Sequence, residues 1–233
     1  PAARARRRAA AAAMPGVCFA EAPKGQVRFN RGGLQVIRLK PEFGVVAKDV
    51  SKLAFSAEPV KKTAAKGHWV ELRVEEFRGG SLSLLGLGFT ATDPASYLQG
   101  EDEGAEPREL PGRADAIPRT YVAGYSRCVS WEGERVEVEC PFTCLKPFKV
   151  FNIGALCTPE GALEVYINRR LTLAFDPVGR GKNPMPVDDP LWMVVDCAGG
   201  LAKATILADS LAPSPDDQDA AGPGPADGGE EAG

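Results

Sequence analysis

Residues 81–98 read SLSLLGLGFTATDPASYL. The stretch opens as an apolar run, passes through Gly86 and Gly88, and stops at Asp93-Pro94. A membrane helix needs roughly 20 apolar residues. Residues 82–91 fall well short of that, and two glycines and Ser83 dilute them further. A short continuous apolar run bounded by turn residues predicts a strand buried on both faces. Gly86 and Gly88 are two apart and therefore share one face, so that something packs close against that face or the strand bends there. Pro94 has no N–H to give to a ladder, which ends the strand at Thr92-Asp93-Pro94.

Working outward, the flanks carry the same period. In Trp69–Phe77 one register holds Val70, Leu72 and Val74, and the other holds Glu71, Arg73 and Glu75. The apolar register is expected to face the core and the charged one to face water, with Trp69 covering an edge. Gln26–Asn30 alternates, turns at Arg31-Gly32-Gly33, and continues through Leu34, Val36, Ile37 and Leu39. Leu53 and Phe55 fall on one face of Lys52–Glu58. Downstream come Arg135–Cys140, Phe148–Thr158, a turn at Pro159-Glu160-Gly161, and a hairpin of Leu163–Asn168 with Leu171–Phe175. Asn168 tolerates the left-handed backbone such a turn needs, and Arg169 suits it less well than glycine. Leu191–Cys197 and Ala202–Ala208, joined through Gly199-Gly200, close the pattern. The charged stretch 99–118 and the loop 177–190, with four prolines, interrupt it, and the first of these is expected to be mobile. Ten or more short strands with no long helical period predict an all-β, antiparallel β-sandwich of jelly-roll or concanavalin-like form.

Charge separates the ends from the middle. Residues 1–20 hold four arginines and no acid, while residues 204–233 hold seven acids and no base. The Pro-, Gly- and Ala-rich end from 209 onward has little to bury and is expected to be a disordered acidic tail. Residues 1–24 are expected to be a disordered basic leader, with an organelle transit peptide as the alternative and Met14 as a possible true start. That leaves 25–208 as the folding unit. Its near balance of charge gives no electrostatic reason to bind nucleic acid, and no membrane span is expected. Without a convincing secretion signal, the six cysteines read as free thiols of a cytoplasmic protein.

Sites of chemistry are few. His68 is the single histidine, and nothing near it in sequence resembles a nucleophile elbow. Cys140 and Cys144 have the spacing of half a zinc knuckle, but no second pair follows, so they read as buried thiols. Gly179-Arg180-Gly181-Lys182 fails as a phosphate loop because Asp176 and Asn183 stand where a glycine and a Ser or Thr are needed. Asp188-Asp189 and Glu75-Glu76 are ordinary surface pairs. No enzyme activity, cofactor or metal is expected. What remains is binding. Tyr97, Arg119, Tyr121, Tyr125, Arg127 and Trp131 combine the aromatic and arginine side chains that anchor protein interfaces, and they form the candidate contact set, weighed against burial of about half of them in the core.

Four segments together resemble the Neuralized homology repeat, a β-sandwich related to SPRY domains. They are Phe29–Gly33 with Leu53–Pro59; Trp69–Phe77 running through Gly80-Ser81-Leu82 into Leu87-Gly88-Phe89-Thr90-Ala91-Thr92-Asp93-Pro94; Gly161–Asn168; and Asp189–Gly199 with its Pro-Leu-Trp. The resemblance covers about residues 25–208. It departs at Arg169, where the family's turn carries glycine, before Val150–Ile153, where the usual Gly-Asp entry is not visible, and over 99–147. The resemblance implies a protein-recognition domain, often the substrate-selecting part of a ubiquitin ligase whose RING lies elsewhere. This chain has no RING array, so it would serve as an adaptor or as part of something longer. The partner expected is therefore another protein. The alternative is a jelly roll holding a carbohydrate or small ligand, which would show a concave face with exposed aromatics.

Overall fold

The computed structural model describes residues 18–20, 27–38, 52–77, 85–98, 110–125, 127–138, 150–197 and 201–214, and most segments that alternate at period two form strands in it. The strands are β1 (Val27–Asn30), β2 (Gln35–Arg38), β3 (Leu53–Phe55), β4 (Lys62–Thr63), β5 (Gly67–Phe77), β6 (Gly86–Thr90) and β7 (Thr120–Tyr125). They continue as β8 (Cys128–Trp131), β9 (Glu134–Glu137), β10 (Phe151–Cys157), β11 (Leu163–Ile167), β12 (Arg170–Phe175), β13 (Trp192–Asp196) and β14 (Leu201–Ile206). One sheet has the order β1-β2-β14-β5-β10-β11-β12, with β4 paired to the start of β5. The other has the order β3-β13-β6-β7-β8-β9. Each pairing is antiparallel, and the two sheets pack as the expected β-sandwich.

The inner faces meet in one apolar core. Val70, Leu72 and Val74 from β5 and Phe151, Ile153 and Ala155 from β10 face Leu87, Phe89, Tyr121, Ala123, Met193 and Val195 from the second sheet. Each large aliphatic side chain buried there contributes roughly 2 kcal/mol. β6 is buried along its whole length, as the apolar run predicts. Leu87 and Phe89 point inward, and the glycines lie on the other face. A Cβ on Gly88 would sit 2.0 Å from the Tyr121 carbonyl oxygen of β7, and one on Gly86 would sit 3.0 Å from the Tyr125 ring. The neighbouring strand and its tyrosine therefore take the space that side chains at these positions would need.

Four expectations are corrected by the packing. The outer face of the second sheet is covered, because Leu53 and Phe55 of β3 join Val122, Val194, Ala114 and Ile117 in a second apolar cluster. The cover is Leu110–Pro118, which is tied down: Thr92 Oγ1 donates to the Pro118 carbonyl at 2.6 Å, and Ala114 N donates to the Tyr125 hydroxyl at 3.1 Å. The remainder of the stretch expected to be mobile, 99–109, lies outside the described residues. Trp69 covers a sheet face and no edge, since β5 lies inside its sheet and the indole sits over Gly154, where a Cβ would come within 2.1 Å of Cη2. Glu71, expected in water, is only 3% exposed because later chain crosses above it. Finally, Cys18–Ala20, read as part of the leader, belong to the fold: Phe19 N donates to the Gly33 carbonyl and Ala20 N to the Phe55 carbonyl, both at 2.7 Å, joining the two sheets at one edge.

Candidate functional site

The six residues singled out from the sequence divide between core and surface. Tyr121 and Trp131 face each other across β7 and β8, with ring centroids 4.7 Å apart, and Trp131 also packs on Phe175 at 4.8 Å. Both are 1% exposed, so a partner cannot reach their rings. Their polar tips are bound internally: Trp131 Nε1 donates to the Asn183 carbonyl at 2.8 Å, and the Tyr121 hydroxyl donates to Glu132 Oε1 at 3.0 Å. Tyr97 and Tyr125 are half-buried against the outer cluster of the second sheet. The Tyr125 hydroxyl donates to Asp196 Oδ2 at 2.5 Å, and the Arg113 guanidinium lies 4.4 Å above its ring. Arg119 and Arg127 are exposed. Strict alternation would put Tyr121 and Tyr125, four residues apart, on one face, and the bulge at Gly124 breaks it, so that Tyr121 points inward and Tyr125 outward.

Arg119 leads to the more structured part of the surface. It sits in the left-handed region at φ +51°, and Glu132, across the β7–β8 pair, sits there too at φ +54°. Two non-glycine residues in that region cost roughly 1–2 kcal/mol each, a strain that surrounding bonds must hold. They are held by backbone bonds from Ala91 N to the Arg119 carbonyl at 2.9 Å and from Glu132 N to the Thr120 carbonyl at 3.0 Å. Beside them runs a rim of ion pairs. Arg119 pairs with Asp189, Lys182 with Glu134, and Lys62 with Asp188 at 2.7 Å. The Lys62 ammonium holds the Asp188 carboxyl below the usual carboxylate range. Exposed pairs of this kind contribute little to stability but present fixed charge to a partner.

The residues considered for chemistry are otherwise occupied. His68 is 4% exposed, with Nδ1 2.8 Å from the Val60 carbonyl oxygen and Nε2 3.1 Å from that of Val187. Both ring nitrogens face backbone carbonyl oxygens, and the N–H of the neutral ring donates to one of them, a tie between strand and loop that holds the ring buried. Lys182 and Arg180 are spent on Glu134 and on the Glu137 carbonyl. Among the described residues, no group of three His, Cys, Asp or Glu could hold a metal ion, and Cys140 and Cys144 lie outside them. Ser130 Oγ is the one described side-chain polar atom that is buried without a hydrogen-bond partner.

A concave feature lies elsewhere, on the outer face of the first sheet. Trp69 lies in a groove of about 610 Å³, between Glu58–Lys61 on one side and residues 208–212 on the other. The indole packs edge-on against Tyr166 at 5.5 Å, and Nε1 donates to Ser210 Oγ at 3.1 Å. The sequence signal for it, a tryptophan followed by an uncompensated Glu71 on an outward register, was present but points to no particular cover.

The Neuralized family profile matches residues 27–208. The chain belongs to the Neuralized family. The crystal structure of the Drosophila melanogaster Neuralized NHR1 domain is similar at 17% identity and a TM-score of 0.54, covering 84% of this chain and 100% of that one. The solution structure of the NHR domain in Neuralized from Drosophila melanogaster is 17% identical with a TM-score of 0.49, covering 83% and 92%. A TRIM65 PSpry domain is 14% identical with a TM-score of 0.48, covering 86% and 94%. At 17% identity and a TM-score of 0.54, the first of these shows a likeness of fold alone. A search of curated proteins gives no match. Neuralized-family domains are in general protein-interaction modules, and no described helix here is long and apolar enough to cross a membrane. The Neuralized match stops at 208, so Asp209–Ala212 of the groove wall fall beyond it.

Proposed function

We propose that this Neuralized-family domain recognises another protein through the loop rim around Arg119 and the adjoining outer face that carries Tyr97, Tyr125 and Arg127. It would act as the substrate-recognition or adaptor part of a ubiquitin-ligase pathway. Family membership over 27–208 carries the proposal. The fixed charges at Arg119 and Asp189, and the left-handed backbone at Arg119 and Glu132, support the choice of surface, because strain of this kind tends to gather at working sites. The proposal includes no chemistry by the domain itself, in keeping with the burial of the His68 ring. A cytoplasmic setting is part of it, and the free thiols at Cys18, Cys128 and Cys157 fit a reducing compartment. The carbohydrate alternative calls for exposed aromatics, and among the described residues no aromatic side chain is exposed.

The test is capture from native lysate with the full chain as bait, against the same chain carrying Tyr97→Ala, Arg119→Ala and Arg127→Ala. Tyr121 and Trp131 stay intact because replacing them would open the core. Enrichment of a ubiquitin-ligase component, lost in the triple variant, is the expected result. Enrichment that survives the variant moves the contact surface elsewhere. Failure to enrich any ligase component removes the adaptor role.

A further inference from the structure

Residues 207–214 leave β14 and cross the outer face of the first sheet as a strap. One backbone bond starts them, from Leu207 N to the Glu71 carbonyl at 2.9 Å. After that, side chains of the sheet hold the strap. The Ser210 hydroxyl accepts from Trp69 Nε1 at 3.1 Å and donates to the Glu71 carboxylate. Arg169 Nη2 donates to the Leu211 carbonyl at 3.0 Å, and Lys66 Nζ donates to that of Ala212 at 2.9 Å. Ala212 is 7% exposed against Leu156, Tyr166 and Trp69, and Pro213 is buried beside it, while Leu211 points away and is 74% exposed. A hydroxyl read as both donor and acceptor, carbonyls gripped by cations, a small buried residue and an unread side chain between them are the way a protein holds an extended peptide ligand.

The strap also leaves space. The groove of about 610 Å³ runs alongside it towards Pro59 and Lys61. Its charged lining, Lys61 and Lys66 against Glu58 and Asp209, balances, so charge alone does not draw the acidic residues beyond 215 into it.

We propose that this face is a peptide-binding site for extended Ser-x-Ala-Pro segments, filled in cis by Ser210–Pro213 and taken over by a partner's segment of the same chemistry when the strap lifts. The site lies on the first sheet, apart from the Arg119 rim, so it stands or falls independently of the surface proposed above. A partner segment gains the open groove as additional contact. Against this, it must compete with a tethered strap whose effective concentration is about 1 mM. For a segment binding the open site at about 10 μM, that competition weakens apparent affinity about 100-fold.

The experiment is fluorescence anisotropy of a labelled peptide with the sequence of residues 207–214, LADSLAPS, titrated with the full chain and with full-chain Ala212→Glu. The substitution lies in the strap and leaves the sheet's binding residues intact. Lifting of the strap is read separately, from the Trp69 indole N–H resonance, which loses its Ser210 acceptor. If Ala212→Glu does not move it, Ser210→Glu/Ala212→Glu takes its place. The expected result is at least tenfold tighter binding by the lifted variant than by wild type, and at least fivefold loss for a peptide with alanine in place of its serine. Equal affinity for wild type and lifted variant, no binding by the lifted variant, or indifference to the serine overturns the proposal. So does a strap that neither variant lifts, since it is then a fixed part of the fold.

Discussion

Arg169, in the left-handed region at φ +66°, donates from Nη1 to Glu71 Oε2 at 3.2 Å, and that carboxylate is 3% exposed. The hairpin turn would be easier with glycine, but glycine would leave Glu71 buried with only Asn152 Nδ2 at 3.0 Å and the Ser210 hydroxyl. The arginine accepts a strain of about 1 kcal/mol to place a cation over a buried anion.

Removing that cation is therefore expected to destabilise the domain. Leaving a buried charge unpaired costs about 3–5 kcal/mol, and the 42% exposure of the Arg169 side chain brings the expectation to the lower end. Arg169→Ala should lose about 3 kcal/mol in urea unfolding. Arg169→Gly should lose about 1 kcal/mol less, because it relieves the backbone. Equal stability of the wild type and Arg169→Ala would show that the pair contributes nothing.

Gly88→Ala should cost about 3 kcal/mol, since its Cβ would meet the Tyr121 carbonyl at 2.0 Å and backbone must move to admit it. Gly112, with nothing within 4 Å of a Cβ, is the matched control, and Gly112→Ala should stay within about 0.5 kcal/mol of the parent. Thermal unfolding of the two variants side by side reads the difference.

His68→Phe removes the ring N–H that one of the Val60 and Val187 carbonyl oxygens accepts. A buried acceptor stripped in this way costs about 1–3 kcal/mol, so a loss of at least about 1 kcal/mol is expected. A variant as stable as the parent would free His68 for some other role.

Burial pushes the Tyr121, Tyr125 and Tyr166 phenols above their ordinary value, helped by the carboxylates of Glu132, Asp196 and Glu164 respectively. In the unfolded chain these phenols ionise near the reference value of 10.0. Above that pH the unfolded state binds fewer protons than the folded one, so stability falls as pH rises. It is fully present below pH 10 and declines beyond it. Phenolate absorbance near 295 nm should rise together with loss of the folded circular dichroism signal above pH 10.

The period-two alternation of Val70, Leu72 and Val74, the buried run at Leu87–Thr90, and the turns at Arg31–Gly33 and Asn168-Arg169 were legible because strand and turn geometry are local. A residue's neighbours two positions away decide its face, and Gly, Asn and Pro decide where the chain can bend. The same local grammar, in family-like order, pointed to the Neuralized family. It could not say which faces would be covered. Tyr121 and Tyr125 are both aromatic residues on one strand, and only the opposing sheet puts the first inside and the cover at 110–118 half-buries the second. Glu71 reads as a solvent charge until Arg169 and Ser210, 98 and 139 residues further along the chain, close over it. Local pattern was enough for most strands, several turns and the family, but not for β4, β7 and β8, which carry no clear alternation. The tertiary structure alone decided burial on the outer faces, and with it the contact surfaces, because burial depends on what lies across a face and that partner comes from distant parts of the chain.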